Sequence, residues 1–133
     1  MLIFMLDSNI FDILVEEKLI LALNQLSKEK KLLILTTTLQ EEEILAIKDS
    51  YVREEAKLLL RLVVPVEDSR IRDSKHWKDD LIALTALREQ AILVSQDKQL
   101  RERWKSLDSE LKLWSFKEFQ ECPGPFLALL DTK

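Results

Sequence analysis

Leu2-Ile3-Phe4-Met5-Leu6, closed by Asp7-Ser8-Asn9, is the stretch that decides the fold. Its five apolar residues show no polar alternation, so they read as a strand covered on both faces rather than one with a wet side. Asp, Ser and Asn directly behind it are residues that cap helix N-termini. A doubly buried strand running straight into a helix is the opening of a βα unit.

Outward from this unit the same alternation repeats. Helical spacing runs from about Ile10 to Ser27 with a break near Glu17, and Leu32-Leu33-Ile34-Leu35 reads as a second strand with Thr36-Thr37-Thr38 as its exit. Helical stretches follow near Leu39 to Lys48 and Tyr51 to Leu62. Val63-Val64-Pro65-Val66 is a third short strand, where the proline favours a sheet edge or a strand end. A charged loop, Glu67 to Lys75, leads into a helix from about Trp77 to Gln90. Ala91-Ile92-Leu93-Val94 is a fourth strand, followed by a helix through Trp104. Leu111 to Trp114 gives a fifth strand and Ser115 to Glu121 a last short helix. Four or five such strands separated by helices require right-handed crossovers, so the expected architecture is α/β: a three-layer α/β/α domain around a central, mostly parallel sheet. One domain is expected over residues 1–121. Cys122-Pro123-Gly124-Pro125 then opens a tail over 122–133, whose apolar run Phe126 to Leu130 packs on its own domain or contacts a partner.

Scarcity narrows the chemistry. Among 133 residues there is one Gly, one Cys and one His. A Gly-rich phosphate loop, an internal disulfide, a Cys-based zinc site and a His-cluster metal site are all excluded. The lone thiol makes a reducing cytoplasm the expected location. The longest apolar runs are far shorter than a membrane span needs, and no basic segment precedes the first of them, so neither a membrane helix nor a secretory signal is expected. A formal net charge of −4 argues against a general nucleic-acid coat but leaves room for a local basic groove.

Carboxylates must therefore carry whatever chemistry there is. In open parallel sheets, sites form beyond the carboxyl ends of the strands. Asp7 follows the first strand, Asp97 lies just past the fourth, Asp79 starts the helix before the fourth, and Glu41-Glu42-Glu43 opens the helix after the second. Singly, each has a structural explanation as an N-cap or as negative charge in a first helical turn. Together they converge. Two carboxylates about 4 Å apart repel by roughly 4 kcal/mol at an effective dielectric near 20, so a cluster needs a proton or a cation. Oxygen-only ligands select Mg²⁺ or Mn²⁺. Among the three glutamates, Glu43 projects about 40° from Leu39 at 100° per helical residue, close to Ala46 and Ile47, which places it on the inward stripe ahead of Glu42 and Glu41.

At these residues the chain resembles the PIN-domain family, metal-dependent nucleases that include the VapC-type toxins of toxin-antitoxin pairs. The apolar strand ending in Asp7-Ser8-Asn9 is similar to the family's opening Asp-x-Asn. Thr37-Thr38-Leu39-Gln40 with Glu41-Glu42-Glu43-Ile44 resembles the segment that supplies its glutamate. Asp79-Asp80-Leu81-Ile82-Ala83 resembles Asp-x-Leu-Ile-Ala and puts the third acid on Asp79 rather than Asp80. Ile92-Leu93-Val94-Ser95-Gln96-Asp97 resembles the strand ending in Thr-x-Asp, with Ser95 keeping the hydroxyl. The likeness spans about residues 2 to 104.

The resemblance implies Asp7, Glu43, Asp79 and Asp97 around one or two Mg²⁺ or Mn²⁺ ions, and water attacking an RNA phosphate. Asp7 and Asp79 would be the firmest ligands and Asp97 would complete the site directly or through water. Glu43 would bind metal or orient the nucleophile, and Asn9 and Ser95 would support the ligands or hold the turns. It also implies an RNA substrate, a small antitoxin protein as partner and a homodimer.

Other residues carry two readings each. Arg70, Arg72, Lys75, His76 and Lys78 form a basic loop before Asp79, and Lys98, Arg101, Arg103 and Lys105 a basic surface beside Asp97; both suit a solvated face or a phosphate backbone. Trp77 and Trp104 suit core packing or base stacking. Against the nuclease stands a non-catalytic RNA-binding or protein-interaction module on the same fold. An aspartyl-phosphate phosphohydrolase would want Asp-x-Asp after the first strand, where Asn9 occupies the second position.

Overall fold

Side chains alternate along a strand, and on β1 (Leu2–Leu6) that alternation divides the core in two. In the computed structural model, which describes residues 2–29, 32–66, 75–107 and 110–121, Phe4 and Leu6 face one apolar cluster and Met5 faces the other. β2 (Leu32–Thr37) sends Leu32 and Ile34 to the first cluster and Leu35 to the second. β4 (Ile92–Val94) sends Ile92 and Val94 to the first and Leu93 to the second. Beyond Leu2, which is exposed at the start of β1, these three strands are covered on both faces, the condition their unbroken apolar runs demanded.

Helices cover both sides. Against the first face lie α1 (Ser8–Glu16), α2 (Ile20–Lys28), α3 (Thr38–Leu45), α4 (Ser50–Ala56) with the 3₁₀ turn Lys57–Leu59, and α7 (Phe116–Gln120). Against the second lie α5 (Trp77–Arg88) and α6 (Lys98–Leu107). β3 (Val63–Val64) and β5 (Leu113–Trp114) form the edges, and the five strands stand in the order β3-β2-β1-β4-β5. Every pairing is parallel. The result is the three-layer α/β/α architecture. None of the helices among the described residues is long and apolar enough to cross a membrane.

The order places the site. From β1 the chain winds outward through β2 to β3, then returns to pair β4 on β1's other side. Connections therefore diverge between β1 and β4, and beyond the carboxyl ends of two such strands is where open parallel sheets place their sites. Asp7 and Ser95 stand there. Backbone pairing carries past the strands, because the Asp7 N–H donates to the Val94 carbonyl at 2.9 Å.

Three element ends differ from the sequence expectation for identifiable reasons. β2 continues through Thr37, since the Thr36 N–H donates to the Leu62 carbonyl at 3.0 Å and its hydroxyl to the same oxygen at 3.3 Å. That bond requires Leu62 to lie beside a strand, so the helix expected to reach it stops at Ala56 and tightens into the 3₁₀ turn. Third, α3 begins at Thr38 and ends at Leu45, short of Lys48. The tail over 122–133, with Cys122, lies outside the described residues, as do Arg70 and Arg72.

In a chain with one glycine, helix ends must use other residues in the left-handed region. Lys18 (φ 58°) and Gln90 (φ 56°) do so after α1 and α5. The bonds Lys18 N–H to Val15 carbonyl and Leu19 N–H to Leu14 carbonyl make the first a Schellman motif. Gln90 to Leu87 and Ala91 to Ala86 repeat it. The first explains the break seen in the helical spacing at Glu17.

Phe4 is 1% exposed, with its ring 4.9 Å from Phe119 and 5.5 Å from Trp114. Truncation by Phe4→Ala is expected to lower unfolding free energy by about 3–5 kcal/mol in urea titrations. Gln90→Gly, which removes a Cβ from the left-handed region, is expected to raise it by about 1 kcal/mol. A loss of stability on that substitution would contradict the cap geometry.

Candidate functional site

Asp7 follows β1 and caps α1, two roles that hold its carboxylate at the carboxyl end of the central strand with 4% of its surface exposed. One oxygen, Oδ1, accepts the Ser8 N–H at 2.9 Å; the other, Oδ2, accepts the Ser95 hydroxyl at 2.7 Å. Ser95 is fully buried and its oxygen also accepts the Asp97 N–H at 3.0 Å. One hydroxyl thereby joins the acid on β1 to the loop after β4. Asn9 ties the same loop, accepting the Gln96 N–H at 3.4 Å. Asp97 is a cap as well, its Oδ1 accepting the Leu100 N–H at 3.1 Å at the start of α6.

Burial pushes the Asp7 carboxyl above its ordinary range, against the Ser95 and Ser8 hydrogen bonds, and the charges of Asp97 and Glu43 push it the same way. Asp79, in the first turn of α5, is half-buried and also raised. Desolvation comes first there, then the charges of Asp7 and Asp97; the charges of Arg103 and His76 oppose. Acids 72 residues apart, Asp7 and Asp79, thus share one electrostatic neighbourhood with Asp97, and Glu43 adjoins it from α3.

Glu43 reaches that neighbourhood differently from the sequence expectation. The buried line of α3 is Gln40 and Ile44, not the stripe through Leu39 and Ala46; Glu43 and Ala46 are exposed. Gln40 sets this rotation. It forms a capping box with Thr37, its backbone N–H donating to Thr37 Oγ1 at 3.2 Å while its Oε1 accepts the Thr37 N–H at 3.0 Å. Its Nε2 donates to the Leu6 carbonyl, pinning the start of α3 to the end of β1 one residue before Asp7. The Thr-x-x-Gln spacing is the signal in the sequence that points to this residue.

Asp80 has another role. It is buried, its Oδ1 paired with the Arg103 guanidinium and accepting the Trp104 indole N–H at 3.0 Å. This clasp locks α5 to α6 and leaves Asp79 turned to the other acids. Trp104 is core, while Trp77 is half-buried with the Lys78 ammonium 5.6 Å from its ring centre.

The donor chemistry fits a hard divalent cation: carboxylate oxygens only, two of the groups held above their normal titration range by burial and mutual repulsion. The spacing is not that of a closed ligand set. Among the described residues no three His, Cys, Asp or Glu side chains are grouped so as to hold a metal ion. Asp7 and Asp97 are instead each engaged in a capping bond.

No protein-family model matches the chain, and no curated protein does. Among solved structures it is similar to a chain of the crystal structure of VapBC2 from Rickettsia felis bound to a DNA fragment from their promoter. The TM-score is 0.55 and the identity 20%, over 86% of this chain and 98% of that one. The likeness is one of fold.

A carboxyl group whose folded pKa lies above its unfolded value favours folding when protonated, so its stabilising contribution is lost as pH rises through the folded value. Asn at position 7 keeps an acceptor for Ser8, reverses the bond to Ser95 by offering its amide N–H to the hydroxyl oxygen, and carries no charge. Asp7→Asn is therefore expected to be more stable than the parent at neutral pH in chelator, with the advantage shrinking as pH falls towards the ordinary carboxylate value of 3.8. Paired urea titrations across that range check it; a stability difference between variant and parent that does not change with pH would mean that Asp7 is not an electrostatic burden.

Proposed function

We propose that this chain is a Mg²⁺- or Mn²⁺-dependent ribonuclease of the PIN type, with Asp7, Asp79 and Asp97 binding the ion and Glu43 beside it. The observation that carries the reading is the burial of Asp7 at the β1–β4 divergence, raised by desolvation and by the charges of Asp97 and Glu43. An ionised carboxylate so placed costs stability that a bound cation would return. A divalent ion in such a site supplies Lewis-acid neutralisation of charge on a phosphodiester and activation of water.

The chain's own residues divide the remaining work. Ser95 donates to Asp7 Oδ2 and accepts the Asp97 N–H, so one hydroxyl holds the strand that carries the first acid against the loop that carries the other. Glu43, exposed on α3, suits the part of holding or accepting a proton from water at its carboxylate. The Arg103 guanidinium lowers the cost of ionising Asp79 while remaining paired to Asp80.

The structural neighbour belongs to VapBC2, and with the resemblance to the VapC-type toxins this supports a small antitoxin as the partner of this chain. Exposed apolar side chains on the helices of the first face, Leu21 on α2, Leu45 on α3 and Tyr51 on α4, suit a protein contact there. A second reading, a non-catalytic interaction module on the same fold, is favoured by the open spacing of the acids and the exposure of Glu43.

Purified chain is expected to cleave single-stranded RNA with Mg²⁺ or Mn²⁺ and to stop with chelator. Asp7→Asn and Asp79→Asn should each reduce the rate on the order of 10²–10³-fold, the equivalent of several kcal/mol of metal-dependent stabilisation. RNA binding without cleavage in either metal would support the second reading, and unchanged cleavage in both variants would remove these acids from the mechanism.

A further inference from the structure

Gln96 stands between Ser95 and Asp97 in the loop from β4 to α6, and both its backbone and its side chain are engaged. The backbone N–H donates to Asn9 Oδ1 at 3.4 Å, in the first turn of α1 and two residues after Asp7. The side-chain Oε1 accepts the Phe116 N–H at 3.0 Å, at the first residue of α7. A helix leaves its first N–H groups without partners inside the helix. In α7 the capping box serves two of them, Ser115 through Glu118 Oε1 at 3.0 Å and Glu118 through Ser115 Oγ at 3.1 Å. Phe116 is served from outside, by a glutamine 20 residues earlier in the chain.

The helix it reaches is a firm anchor. Phe116 and Phe119 are both buried, and the Phe119 ring meets Phe4 of β1 edge to face at 4.9 Å. The loop also touches this corner through its backbone, because the Ser95 N–H donates to the Trp114 carbonyl at 3.0 Å, directly before the α7 cap. Gln96 itself is exposed, so hydrogen bonds rather than burial hold its side chain. Asp97 follows. Its N–H is bound by Ser95 Oγ at 3.0 Å and its carboxylate caps α6 through the Leu100 N–H at 3.1 Å. α6 packs into the second apolar cluster and α7 into the first, so the backbone at Asp97 is held from both faces of the sheet, from one of them through Gln96.

We propose that Gln96 is a positioning residue for the ion site: by tying the β4–α6 loop to α7 it keeps Asp97 where its carboxylate can share a Mg²⁺ or Mn²⁺ ion with Asp7 and Asp79. The assignment rests on the ribonuclease reading and deepens it. Gln96 acts through Asp97 and neither touches substrate nor moves a proton. With the tie removed, the loop must be ordered as the ion binds, and that cost weakens binding. Phe116 lies beyond residue 104, where the likeness to the PIN-domain family stops, so this support comes from a part of the chain that the resemblance does not reach.

The test sets Mn²⁺ affinity, read from the EPR signal of the free ion, beside RNA cleavage by the full chain. Gln96→Met keeps the reach of the side chain, removes the acceptor and, at an exposed position, leaves the core intact. It should weaken Mn²⁺ binding about tenfold and, at an ion concentration near the parent's Kd, lower kcat several-fold with KM for RNA unchanged. Gln96→Glu keeps an acceptor and should restore the parent's affinity at an ionic strength high enough to screen its charge. Gln99→Met, the same change at another exposed position, should alter neither quantity. If the parent binds Mn²⁺ and cleaves RNA while Gln96→Met matches it in both, the positioning role falls and the ribonuclease reading stands. A thermal midpoint lowered in chelator with Mn²⁺ affinity unchanged would make Gln96 a helix cap alone and overturn the proposal, as would an equal loss in Gln99→Met. A parent that neither binds Mn²⁺ nor cleaves RNA removes the ribonuclease reading and this inference with it.

Discussion

A carboxylate taken out of water at the end of the central strand is the constraint on which the rest of the structure turns. Asp7 is placed there because its backbone must continue the β1–β4 ladder while its side chain must cap the helix that follows. Neither duty needs a charge so deeply buried, since an asparagine or serine caps a helix equally well. What surrounds Asp7 increases the cost: Asp97 and Glu43 add like charge and the neighbouring strands exclude solvent. A fold that tolerates such a burden at its centre has stability tied up in a place where electrostatics, not packing, decides the outcome.

The scaffold meets this burden with neutral hydrogen bonds and one ion pair that hold the acids in place. Ser95 binds Asp7 and the loop of Asp97 with one oxygen, Gln40 binds α3 to the end of β1, and Arg103 with Trp104 engages Asp80 so that its neighbour Asp79 stays beside the other acids. Apart from the short bond from Asp97 to Ser95, each of these links joins elements far apart in the chain. The apolar clusters on the two faces supply the bulk of the folding energy and hold the strands in register, whereas these few polar links set where the carboxylates stand.

Much of this arrangement is legible in the residues alone. Continuous apolar runs such as Leu2 to Leu6 and Ile92 to Val94 identify doubly covered strands because only a layered sheet removes both of their faces from water. Asp7 and Asp97 are recognisable since capping residues follow strands in such folds. The angular placement of Glu43 is not, because helical projection assumes that apolar residues define the inward face, and here a buried glutamine does. Asp80 yields to Asp79 in the sequence pattern, but its clasp to Arg103 and Trp104 is hidden there: a contact between helices separated by a strand depends on their packing angle, which no local pattern encodes. Trp104 illustrates the same limit, its indole N–H having found a partner that allows it to be core.

The hydrogen bond between Ser95 and Asp7 bridges 88 positions, and β4, which pairs with β1, follows both β2 and β3 in the chain. Contacts of such long sequence separation form slowly and late. While the chain is being synthesised from its N-terminus, the first strand and its acid emerge well before the partner that shields them. Until residue 95 has left the ribosome, Asp7 remains hydrated and ordinary, so a growing polypeptide carries the acids without the pocket that makes them unusual. The order of translation itself thus postpones the moment at which these groups first feel one another.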